Sequence, residues 1–127
     1  MNLSRRDWVM GAIRFALEIA AAIALGWWGW HIAGGGLVGV VLAIAIPAAA
    51  FAVWGIFAVK DDPARNPNPP VPVPGWVRLL IEAAVFGLAA YGLWSGGHRA
   101  WAEGLLTAVG LVYFVSYDRI AWLLKQR

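Results

Sequence analysis

Four apolar stretches, each long enough to cross a bilayer, leave this chain few ways to fold. They run roughly over Trp8–Ile32, Leu37–Val59, Trp76–Ser95 and Arg99–Leu124. About 20 mainly apolar residues let a helix span the hydrocarbon core, and lipid obliges the backbone to satisfy its own hydrogen bonds, as a helix does. Of the 127 residues, 61% are hydrophobic and 13% charged, with a mean hydropathy of +0.68. Soluble domains carry about 25% charged residues, and a soluble fold of this size could not hide so much apolar surface. The sequence therefore predicts an all-α membrane protein. No small-residue cleavage motif precedes a soluble domain, so the first stretch reads as a retained helix and not a signal peptide.

Gly34-Gly35-Gly36 and Ser95-Gly96-Gly97 join the first and second, and the third and fourth, stretches. Both turns are tight and predict antiparallel helical hairpins. Ser4-Arg-Arg-Asp7 has the form of a capping box and starts the first helix near Ser4. Between the hairpins lies a linker holding six of the seven prolines, which predicts a semi-rigid, non-helical spacer. The expected layout is one four-helix transmembrane domain over residues 1–127. Hairpin 1 covers about 4–59, the linker 60–75 and hairpin 2 about 76–124.

The formal charge of +3 and pI near 9.8 would suit nucleic acid, but the charges sit in short clusters between apolar runs, so topology explains them and no nucleic-acid partner is expected. Arg5, Arg6, Arg14, Lys60, Arg65, Arg78, Arg119, Lys125 and Arg127 fall on one side, and Arg99 alone on the other. The positive-inside rule then places both termini and the linker in the cytoplasm, in a multi-pass protein of the cell (inner or plasma) membrane. Trp30 and Trp94 mark the outer interface, Trp54 and Trp76 the inner one, with Trp101 and Trp122 bracketing the fourth helix.

The two halves also repeat. Arg14-Phe-Ala-Leu-Glu18 recurs as Arg78-Leu-Leu-Ile-Glu82, and Trp30 recurs as Trp94, all at a step of 64. A repeat with the same orientation in both copies places a pseudo-twofold axis along the membrane normal. Helices 1 and 3 would meet there through Ala20, Ala24, Ala83 and Gly87, by small-residue packing. The second and fourth helices correspond less well, with Trp54 opposite Asp118 and Pro47 opposite Leu111.

Ionisable residues at membrane depth are functional candidates by default. Arg14, Glu18, Arg78 and Glu82, joined by Asp118 and Arg119 at similar depth, form the candidate cluster. Glu18 and Glu82 could act as a carboxylate pair for a proton or cation. The competing and favoured reading is a self-neutralising Arg–Glu pair at i,i+4 in each copy. Glu103 has Arg99 at i,i−4 as its expected partner. His31 and His98 fall at outer helix ends and are the only residues that would suit a haem or a chlorophyll-type pigment; neither is expected. Pro47 should kink helix 2. No Ser/His/Asp set, no metal spacing and no phosphate loop occurs, and cysteine is absent. No catalytic residue, metal or cofactor is therefore expected, and lipid is the expected ligand.

Arg14-Phe-Ala-Leu-Glu18, Gly26-Trp27-Trp28-Gly29-Trp30, Trp54-Gly55-Ile56-Phe57-Ala58-Val59 and Arg78-Leu-Leu-Ile-Glu82-Ala-Ala-Val-Phe86 resemble the YrdB-type family of small bacterial integral membrane proteins. The similarity runs over almost the whole chain. Where family members often place a proline after the Trp-Gly-x-Phe segment, here Lys60 follows Val59 and the first proline is Pro63. The family is a domain of unknown function, so the resemblance implies a fold and a compartment but no activity. Two functions remain in view. One is a non-catalytic accessory or structural subunit, packing with a larger membrane complex or with itself. The other is an oligomeric transporter or channel for a small ion or metabolite, using Glu18 and Glu82.

Overall fold

In the computed structural model, residues 5–60 and 68–126 are described. The cap expected at Ser4 lies outside them. The chain forms α1 (Arg5–Ile32), α2 (Gly36–Ile56), a two-residue strand β1 (Phe57–Ala58), its partner β2 (Val71–Pro72), α3 (Gly75–Ser95), α4 (Arg99–Val115) and α5 (Tyr117–Lys125). Three of these helices are long and apolar enough to cross a membrane, and α4 with α5 makes a fourth span only if the bent pair counts as one.

Glycine sets both tight turns. Gly34 and Gly97 have φ of 73° and 89°, the left-handed conformation that closes a helix in a Schellman motif. The paired bonds are present at each end. Gly35 N–H donates to the Trp30 carbonyl and Gly34 N–H to that of His31, while His98 N–H donates to Leu93 and Gly97 N–H to Trp94. The two ends are thus 63 residues apart, one short of the step that relates the Arg and Glu residues.

Packing centres on α1 and α3. Helix α1 contacts α2, α3 and α4, and α3 contacts α1, α2, α4 and α5. Along α1 the buried residues include Met10, Ala21, Ala24 and Leu25; along α3 they include Arg78, Glu82, Val85, Phe86, Ala89 and Ala90. Both stripes follow the three- and four-residue spacing of one helix face. Of the four small residues expected between α1 and α3, only Ala24 is buried; Ala20, Ala83 and Gly87 face outward. Bulky side chains seat on small ones instead. Trp28 lies so close to Gly92 that a Cβ there would sit 2.8 Å from the indole, and Trp27 covers Gly96 in the same way. One tryptophan expected at a membrane interface lies inside the bundle instead. Trp54 is a core residue, packed edge-on against Phe86 with ring centroids 5.4 Å apart.

Two expected helices end early. The second was to reach Val59, but α2 stops at Ile56 and the chain continues extended. Phe57 pairs with Val71 and Ala58 with Pro72 in parallel register, and Val73 N–H donates to the Ala58 carbonyl at 2.8 Å. The end of the proline-rich linker therefore clips onto the exit of α2. Proline offers no amide for a helix but can extend a strand at its edge. The fourth helix was to run unbroken from Arg99 to Leu124. It breaks at Ser116, and α5 turns away by 72°. Around the break the next stable arrangement is tertiary. Leu123 is buried against the start of α3, Gly75 N–H donates to the Gln126 carbonyl at 2.9 Å, and a Cβ on Gly75 would collide with the Leu123 carbonyl. Pro47 lies within an uninterrupted α2.

Candidate functional site: a buried charge network

Arg78 and Glu82 stand one turn apart on α3, and each is only 1% exposed. Arg78 Nε donates to Glu82 Oε2 at 3.1 Å. Its Nη1 donates to the carbonyls of Trp54 and, at 3.0 Å, of Phe57. The last carbonyls of a helix have no partner within it, and they carry the negative end of the helix dipole. Arg78 therefore caps α2 from a neighbouring helix. Its guanidinium also lies 5.8 Å from the centre of the Trp54 ring, within cation–π reach.

Glu82 is gripped from two further elements. The Tyr113 hydroxyl of α4 donates to Oε1 at 2.8 Å, and Arg119 Nη2 of α5 lies 3.7 Å from Oε2. Hydrogen bonds to an ionised group are the stronger kind, and here both carboxylate oxygens are engaged. One carboxylate, two guanidiniums and a phenol thus join the end of α2 to α3, α4 and α5. Phe86 and Tyr113, edge to face at 6.5 Å, cover the network with Trp54.

Of the six charged residues singled out in the sequence, Arg78, Glu82 and Arg119 meet here. Asp118 sits on the exposed side of α5. Arg14 and Glu18 are half-buried on α1, less enclosed than their counterparts. Tyr113 escaped sequence reasoning. The available signal was a tyrosine in the apolar run of helix 4, since a buried phenol requires a partner.

At the other end of the helices, Arg99 lies over the Trp94 ring at 4.1 Å. No ion pair joins it to Glu103 among the described residues; the indole face a turn away replaces the expected carboxylate. His31 and His98 meet through Trp27. His31 stacks on the indole at 4.9 Å and 12°, and His98 meets it edge-on at 4.7 Å and 80°. Among the described residues, no three His, Cys, Asp or Glu side chains converge as metal ligands would.

Residues 12–110 match the model of a family described as "Protein of unknown function (DUF2568)". The chain is also 39% identical over 114 residues to "Uncharacterized protein YrdB" of Bacillus subtilis (strain 168), an overlap that covers 90% of this chain and 92% of that protein. No solved structure matches. The family match takes in Arg14, Glu18, Arg78 and Glu82 and ends before Tyr113 and Arg119. The chain belongs to this family of YrdB-like proteins of unknown function.

Proposed function

We propose that this protein is a non-catalytic subunit of the cell membrane, structural or accessory, which packs with a larger membrane complex or with itself. The observation that carries this reading is the saturation of Glu82. A carboxylate that binds and releases a proton or cation needs a free oxygen. Glu82 holds Arg78, Tyr113 and Arg119, so any carried ion would have to displace them. Such a group is suited to locking helices together. The proposed topology has four spans as two tandem hairpins in one domain, with both termini and the linker in the cytoplasm. Packing of Trp28 on Gly92, a step of 64, supports the internal repeat, because residues facing a twofold axis meet their own counterparts. Lipid and other membrane subunits, or a second copy, are the proposed partners, with no resident cofactor.

Transport is the second reading. Glu18 favours it, being less enclosed than Glu82 and on the same helix as the buried stripe of α1. Gentle extraction from native membranes, followed by intact-complex mass spectrometry, separates the two. The proposal expects a stoichiometric protein partner or a defined homo-oligomer. It also expects that Glu82→Gln loses fold stability in step with any loss of flux in proteoliposomes. A fully folded Glu82→Gln protein that has lost ion flux would replace this reading with transport.

A further inference from the structure

The elbow between α4 and α5 gives Tyr113 and Arg119 to the charge network and leaves open a groove that the network does not fill. Helix α4 has 17 residues, a length of about 25 Å, a little short of a bilayer core of about 30 Å. It begins beside the Arg99–Trp94 contact, so Ser116 falls near the opposite interface, where the chain turns by 72°. Helix α5 therefore leaves the spanning direction at the level where acyl chains meet headgroups. Three stripes run along it. Arg119, Ile120 and Leu123 face the protein; Tyr117, Ala121 and Leu124 form an exposed apolar flank; Asp118 and Lys125 form a charged one. A helix with that pattern lies in the plane of an interface.

Inside the elbow is a groove of about 650 Å³, lined by Gly110, Tyr113, Phe114 and Val115 of α4 and by Tyr117 and Ile120 of α5. Its rim is highly exposed, with Phe114 at 80% and Tyr117 at 72%. We propose that this elbow is a phospholipid site, in which one acyl chain lies in the groove against α4 and the phosphate headgroup rests at the level of α5. Two features specify that occupant. The groove is apolar where a spanning helix faces hydrocarbon and opens at the depth of the headgroups. On α5 itself the exposed Lys125, on the flank it shares with Asp118, offers an anionic phosphate a cation at that level. The proposal is independent of whether the protein is an accessory subunit or a transporter.

Gly110 provides the test, because a Cβ there meets nothing within 4 Å and its backbone is helical. Gly110→Leu starts a bulky side chain from an open Cβ position on the groove wall and removes a glycine from a helix, which favours folding. Gly104 is equally open on α4 but lines no part of the groove, so Gly104→Leu is the control. Each protein is purified from its membranes in mild detergent and examined by native mass spectrometry. The expected result is one retained phospholipid per chain in the wild type and in Gly104→Leu, with occupancy about tenfold lower in Gly110→Leu. Equal retention by Gly110→Leu, equal loss from both variants, or a wild type carrying detergent alone overturns the site. Depth supplies a second readout. The chain has no cysteine, so a nitroxide on Leu124→Cys reports one position. Headgroup depth is expected, whereas a label deep in the hydrocarbon or fully in water contradicts the in-plane helix.

Discussion

The two Arg-x-x-x-Glu copies have the same spacing and different surroundings. Arg78 and Glu82 are 1% exposed and tied into four elements; Arg14 and Glu18 remain half-buried. The difference comes from what reaches each copy. Helix α2 ends beside Arg78 and offers it carbonyls, and α5 folds back over Glu82. Among the described residues α3 packs mainly against α1, α2, α4 and α5, and α1 mainly against α2, α3 and α4. A repeated motif therefore fixes which residues lie on a helix and at what depth, while the chain's breaks decide which copy becomes a structural lock.

Substitutions can break or sharpen this contrast. The largest effect is expected from Arg78→Met, which uncaps α2 and leaves buried Glu82 to Tyr113 and the more distant Arg119. Removing one partner of a buried pair costs about 3–5 kcal/mol, so the thermal unfolding midpoint should fall far more than in Arg14→Met. Equal falls would erase the asymmetry. Combining Arg78→Met with Glu82→Leu should recover much of the loss, because both buried charges then go together; a sum of two full penalties in the double variant would argue that the pair does not act as a unit. Gly75→Ala comes next. A methyl directed at the Leu123 carbonyl should displace α5 at a cost of about 1–3 kcal/mol, seen as faster amide exchange over residues 117–125. Unchanged exchange would show that α5 is not held by that contact. Similar in size is Tyr113→Phe, which removes one hydrogen bond to a carboxylate, worth about 1.5–3 kcal/mol, and should act only while Glu82 is present. An undiminished effect in a Glu82→Gln background would separate the two residues.

Much of the fold was legible because its signals are local. Glycine runs placed both hairpin turns, and apolar length placed the three uninterrupted spans. The break at Ser116 was missed although its residues announce a helix start: a serine at the cap position and Asp118 in the first turn are ordinary opening signals. Apolar residues continue on both sides of Ser116, so hydropathy alone does not mark the break. The strand at Phe57–Ala58 could not be read in the same way, since its partner lies beyond a proline-rich linker and the pairing is tertiary. Within the site, Arg78 and Glu82 stood out because charge in an apolar run is expensive. Tyr113 looked like one more aromatic, and Trp54 like an interface anchor, because nothing in their neighbours' sequence reveals a guanidinium and a carboxylate from another helix.

The most direct test of the lock is to measure Glu82→Gln and Glu18→Gln side by side, as thermal unfolding followed by circular dichroism in one lipid nanodisc composition. Glutamine keeps the shape of either side chain and removes only its charge. The account expects Glu82→Gln to unfold at a clearly lower temperature than wild type, because Arg78 and Arg119 are left without their common carboxylate, and Glu18→Gln to fall by much less. A Glu18→Gln protein as destabilised as Glu82→Gln, or a Glu82→Gln protein as stable as wild type, would contradict it.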